Sequence, residues 1–166
     1  MLFRSVSQSR YFGVVRATHG FCEYYANSLS VSSGVDTRLT TFTVSGTDTT
    51  GLDYTNGIWT NNTGRTVQVI MSIQSAWSAN GTGARIHWAQ LNATGATNAV
   101  RYLMVDGAAT VGGEATVAIT SAPIQLTNGS NVSVWLYQTS GGALTYGGGT
   151  AGMAANASSR VSMVVL

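Results

Sequence analysis

The chain predicts an all-β fold, a single sandwich or barrel. Short runs rich in Val, Ile, Thr, Tyr and Trp fill residues 35–166, with turn signals about every ten residues. No segment in that range carries a helical period. Charged residues make up only 8 % of the 166 residues, against about 25 % in an average domain. Ser, Thr, Asn and Gly take their place, while 44 % hydrophobic content keeps the chain out of the disordered class. This length fits one domain with a short extension.

Residues 1–34 differ from the rest. They hold Phe3, Tyr11, Phe12, Phe21, Tyr24 and Tyr25, the single Cys22, and poor periodicity. They read as an extended N-terminal arm with a short helix near Phe21 to Ser28. The arm's attachment residues are expected to be Phe3, Arg4, Arg10, Tyr11 and Phe12. From residue 35 the pattern is β. Val35 to Val44 alternates, and 46–57 reads as a polar loop containing Asn56-Gly57. Ile58-Trp59-Thr60 is a short strand followed by the turn Asn61-Asn62-Thr63-Gly64. In the clearest strand, Val67, Val69, Met71, Ile73 and Trp77 share one face, with Gln68, Ser72 and Gln74 on the other.

Asn80-Gly81 turns the chain into 84–92, with Ile86 and Trp88 on one face and Arg85 and His87 on the other. Residues 100–105 are apolar on both faces. Pro123 breaks 117–126 or marks an edge. Asn128-Gly129 turns into Val132, Val134 and Leu136, with Trp135 and Tyr137 opposite. A short strand at 143–146, a Gly-rich loop and the apolar run Val161 to Leu166 complete the chain.

Composition excludes several classes. All eight cations are Arg, the net charge is +2, and no basic cluster exists, so no nucleic acid is expected. No run of about 18 apolar residues exists, so no helix is expected to span a membrane. The first ten residues lack the apolar centre of a secretion signal. Cys22 cannot form an intrachain disulfide and reads as a small packed residue.

Candidate chemistry is sparse, and neither enzyme activity nor a cofactor is expected. His87 has no nucleophile or acid at catalytic spacing and reads as a polar-face residue. Arg85, two residues away on the same face, would lower its tendency to carry a proton. His19 is isolated. Asp48, Asp53 and Asn56 could offer oxygen ligands to calcium, but they lack the Asp-x-Asp-x-Asp-Gly pattern, and no metal is expected. Six Asn-x-Ser/Thr sequons, at Asn61, Asn80, Asn92, Asn128, Asn131 and Asn156, read as turns rather than glycan sites. Trp59, Trp77, Trp88 and Trp135 could line a sugar-binding surface, with Trp77 assigned to the core.

Residues 58–77 and 117–166 resemble the trimeric C1q/tumour-necrosis-factor type of jelly roll. Ile58-Trp59-Thr60, Asn62-Thr63-Gly64 and Val67-Gln68-Val69 resemble that family's short strand, Gly-ended turn and next strand. Ser121 to Leu126, Asn128-Gly129 and Val132-x-Val134 resemble its Leu-x-x-Gly-Asp-x-Val-x-Val hairpin. The chain departs from the family at Arg65-Thr66, Ser130 and Val161-Ser162-Met163-Val164. The resemblance implies a homotrimer whose last strand runs beside the threefold axis. The Lys-free, Asn/Thr/Gly-rich style is similar to jelly rolls on virus particles: decoration, vertex or fibre proteins.

Two expectations follow. The first is a structural virion protein that self-assembles and attaches through its arm to a major capsid or other virion protein. Its oligomer interface, read from two-faced strands and the apolar terminus, comprises Val132, Val134, Trp135, Tyr137, Val161, Met163, Val165 and Leu166. The second is an extracellular C1q-like module binding a glycan or receptor through loops 45–57 and 139–157, with Tyr54 and Tyr146 as the loop aromatics.

Overall fold

A computed structural model describes residues 20–78, 80–92, 101–107, 115–147 and 159–166, with backbone alone for 101–107, 115–117 and 119. Among the described residues there are strands and no helix: β1 (Gly20–Ala26), β2 (Leu29–Val31), β3 (Thr37–Arg38), β4 (Phe42–Ser45), β5 (Asp53–Thr55), β6 (Ile58–Thr60), β7 (Val67–Trp77), β8 (Arg85–Leu91), β9 (Arg101–Gly107), β10 (Ala115–Thr120), β11 (Ile124–Leu126), β12 (Asn131–Gln138), β13 (Leu144–Tyr146) and β14 (Arg160–Val165). They form two antiparallel sheets. Sheet I runs β2-β13-β7-β14-β1-β4, with β10 and β11 also paired to β7. Sheet II runs β5-β6-β12-β8-β9, with β3 paired to β12.

The sandwich follows from alternation. On β7, Val67, Val69, Met71, Ile73 and Trp77 all face the core, as their spacing predicts. The facing layer of sheet II is Trp59, Ala89, Val132, Val134 and Leu136. Burying each of the larger side chains contributes roughly 1.5–3 kcal/mol before entropy is charged. Pro123 sits between β10 and β11, where the chain leaves the β7 ladder; there Ser121 bridges the gap through its backbone N–H to the Met71 carbonyl and its Oγ to the Met71 N–H.

Three expectations are corrected. An arm covering all of 1–34 does not fit: β1 lies inside sheet I between β14 and β4, and β2 pairs with β13. The expected helix at 21–28 is strand as far as Ala26. Aromatics on both faces hid the period: Cys22, Tyr24 and Ala26 point inward, while Phe21, Glu23 and Tyr25 point outward. The polar loop 46–57 contains β5, and Asn56 (φ 48°) and Gly57 (φ 76°) make the two-residue turn into β6. A Cβ on Gly57 would fall 2.0 Å from the Leu39 carbonyl oxygen, so only glycine fits.

Candidate assembly face

The outward face of sheet I is the most distinctive surface among the described residues. Strand register lines up its side chains in rows across β1, β14 and β7. One row is apolar: Phe21 opposite Val164, and Val164 opposite Ile70. Phe21 is 50 % exposed, and Leu166 at the end of the chain is 45 % exposed. The next row is small and polar: Glu23, Ser162, Ser72 and Thr120. The third is Tyr25, Arg160, Gln74 and Ala118.

The polar rows form a hydrogen-bonded band. Arg160 Nη1 pairs with Glu23 Oε1 at 3.2 Å, and Arg160 Nε donates to Gln74 Oε1 at 3.1 Å. Ser162 Oγ and Tyr25 Oη also donate to the Glu23 carboxylate, at 3.3 and 3.0 Å. Ser72 and Thr120 share a hydroxyl contact of 2.7 Å. Because Ser72, Ser162, Thr120 and Ala118 are short, they leave a trough of ≈ 310 Å³ walled by Glu23, Arg160 and Gln74.

The interface residues expected from sequence lie elsewhere. Val132, Val134, Val161, Met163 and Val165 are 0–5 % exposed and belong to the chain's own core. Trp135 faces outward from sheet II, yet it is only 6 % exposed and stacks on Trp88 at 6.4 Å between ring centroids. Tyr137 is half-buried against that pair. Of the eight, Leu166 alone is openly exposed. Two-sided apolarity arises inside one copy here, because the second face of β12 is occupied by the Trp88–Trp135 cluster. Phe21, Val164 and Ile70 lie far apart in sequence, Ile70 and Val164 inside apolar runs whose alternate residues enter the core, and only strand register brings them into one outward row. Phe3, Arg4, Arg10, Tyr11 and Phe12 lie outside the described residues.

Residues 85–91 alternate as expected, but the polar face points inward. His87 and Arg85 are each 1 % exposed. His87 Nδ1 meets Ser75 Oγ at 2.7 Å, joining β8 to β7 across the sandwich. His87 Nε2 is buried without a hydrogen-bond partner among the described residues. Burial, rather than Arg85, drops its pKa to about 4. Arg85 turns its guanidinium to the carbonyls of Thr82, Ala84 and Asn80 at 2.9, 3.0 and 3.2 Å, and burial lowers its pKa. Its register neighbour Gln138 binds the Val31 and Gly142 carbonyls at 2.9 and 2.7 Å. These two side chains plug one end of the core and hold the adjoining loops.

Other candidates serve the fold. Asp48 accepts from the Tyr24 hydroxyl and from the backbone and hydroxyl of Thr50, and Asp53 accepts from Asn62. Asp48 and Asp53, weighed above as possible calcium ligands, thus bond to different partners. Burial raises the Tyr24 and Cys22 pKa values, and keeps the thiol protonated. Asn61 is fully buried: its Oδ1 accepts from the backbone and hydroxyl of Thr63, and its Nδ2 donates to the Arg65 and Leu126 carbonyls. Asn80 treats Thr82 the same way. The sequon spacing is here the spacing of an Asx turn. Tyr146 is fully buried against Trp77, and Tyr54 packs with Tyr24, Phe42 and Trp59, so neither is a free loop aromatic. The four tryptophans are at most 6 % exposed, which leaves no open sugar platform of indoles.

No family model and no curated protein matches the chain. Solved structures do. The Eiger TNF structure from S. frugiperda aligns with a TM-score of 0.57 and 11 % identity, over 89 % of this chain and 92 % of that one. Murine APRIL at pH 8.0 aligns with a TM-score of 0.54 and 14 % identity, over 89 % and 99 %. A second murine APRIL structure, at pH 8.5, gives 0.55 and 13 % over the same shares. Among the described residues no helix is long and apolar enough to cross a membrane. The two antiparallel sheets and these likenesses agree: the chain has the C1q/tumour-necrosis-factor-like jelly-roll fold.

Proposed function

We propose that this protein is a non-catalytic, self-assembling jelly-roll module that forms a homotrimer through the outward face of sheet I. The observation that carries the reading is the outward apolar row Phe21–Val164–Ile70, with Phe21 half exposed and Val164 and Ile70 partly buried, on the interior strands β1, β14 and β7 of the sheet. An apolar centre beside a polar band is the anatomy of a protein interface. A net charge of +2 puts little repulsion between copies. The Ser75–His87 pair, the nearest thing to catalytic chemistry here, is sealed in the core with no described carboxylate bonded to the ring.

Within that reading, the finer role we favour is structural: a decoration, vertex or fibre component on a virus particle, attached to a capsid protein through residues ahead of β1. Its support is the Lys-free, Asn/Thr/Gly-rich composition. A recognition module is the second reading, supported by the structural likeness to Eiger TNF and murine APRIL. The absence of free loop aromatics at Tyr54 and Tyr146 weighs against its glycan-binding form.

Sedimentation equilibrium of the wild type and of Val164→Arg tests the assembly. The wild type is expected near 52 kDa, three times the 17.3 kDa chain, and the variant as a folded monomer. A wild-type monomer at micromolar concentration, or a trimeric Val164→Arg, rejects the assignment. Deleting residues 1–19 then separates the roles: the virion reading expects trimers that no longer bind capsids.

A further inference from the structure

Sheet I carries a protruding ring and a hollow on the same outward face. Phe21, half exposed on β1, is the protrusion. The hollow is the trough of ≈ 310 Å³ over β7, floored by Ser72, Ser162, Thr120 and Ala118. Within one copy Phe21 does not line the hollow. Phe21 lies in the Val164–Ile70 row, and the trough spans the two rows beyond it, reaching across β14 and β7 to β10. Neighbouring strands are about 4.8 Å apart, and alternate residues on one face about 6.8 Å.

We infer that in the assembly Phe21 of each copy seats in the trough of the next copy, against the Arg160 side chain. The inference rests on the assembly reading above and names its contact. The hollow is large enough for a phenyl ring. Its one carboxylate, Glu23, already accepts from Arg160, Ser162 and Tyr25, so a ring covering it strips no unpaired anion of water. Arg160 is 45 % exposed in its side chain and presents a guanidinium for stacking on an aromatic face. A protrusion and a hollow at different places on one face make a head-to-tail contact, the kind that generates rings when the rotation closes.

The test uses two single variants of the full chain. Phe21→Ala removes the protrusion, and Ser162→Trp fills the hollow; both sites face outward, so thermal melts should match the wild type. Thr120→Trp, at an exposed position, replaces Ser162→Trp if that variant melts early. Mass photometry across dilution should show each variant dissociating at a concentration at least tenfold above wild type. Mixed together, the two should form one-to-one pairs, because the filled variant keeps its Phe21 and the Ala variant keeps its trough. Wild-type association by both variants, or no pairing on mixing, overturns the contact while leaving the assembly face standing. A monomeric wild type overturns both.

Discussion

The two outward faces of the sandwich contrast sharply. On sheet II the large side chains Trp88 and Trp135 are 1 and 6 % exposed, and their indole N–H groups are satisfied by Gln90 and Ser133. On sheet I the side chains are smaller and more polar, yet Phe21 and Leu166 stand 50 and 45 % exposed. Apolar content alone points to sheet II as the sticky face; exposure points to sheet I. A partner surface is set by what the fold leaves uncovered, not by how hydrophobic a strand reads.

The contrast breaks most violently one residue apart on β14. Met163 faces the core and Val164 faces outward. Met163→Arg places an unpaired charge between the sheets, a cost comparable with the whole stability of a domain, about 5–15 kcal/mol. No folded protein is expected by circular dichroism, whereas Val164→Arg should fold and fail only to assemble. On sheet II, Trp135→Ala should lose about 3–5 kcal/mol in urea unfolding. Phe21→Ala, measured on the dissociated chain, should stay within about 0.5 kcal/mol of wild type.

Acid probes the core beneath both faces. His87 titrates near 6.5 in the unfolded chain and near 4 in the folded one. Between those values the unfolded state binds more protons, so stability falls as pH drops through that window, by about 3 kcal/mol in all. His87→Gln should flatten this slope in urea titrations run from pH 7 to pH 4. At the other end of the sandwich, Asn61→Ala removes the side-chain bonds that hold the turn after β6. It should cost about 1–3 kcal/mol, and a lower melting temperature would register it.

Sequence made some of this legible and hid the rest for physical reasons. Strand β7 reads plainly because its inward residues are apolar and most of its outward ones, Gln68, Ser72 and Gln74, are polar, with Ile70 the outward exception. Strand β8 gives the right alternation with the wrong inside, since alternation separates two faces without saying which one the core takes. Here the core accepts Arg85 and His87 with loop carbonyls bonding Arg85 Nη1 and Nη2 and Ser75 bonding His87 Nδ1, while Arg85 Nε and His87 Nε2 stay buried without a partner among the described residues. Strand β1 is obscured by aromatics on both sides. The assembly face is invisible in one dimension: Phe21, Ile70 and Val164 are brought together only by strand register.

The most direct measurement is hydroxyl-radical footprinting read by mass spectrometry at concentrations above and below dissociation. The account predicts that Phe21 and Leu166 become protected on assembly, while Trp88 and Trp135 stay protected throughout. Oxidation of Phe21 that is unchanged by concentration, in a protein whose mass shows it to be assembled, would contradict it.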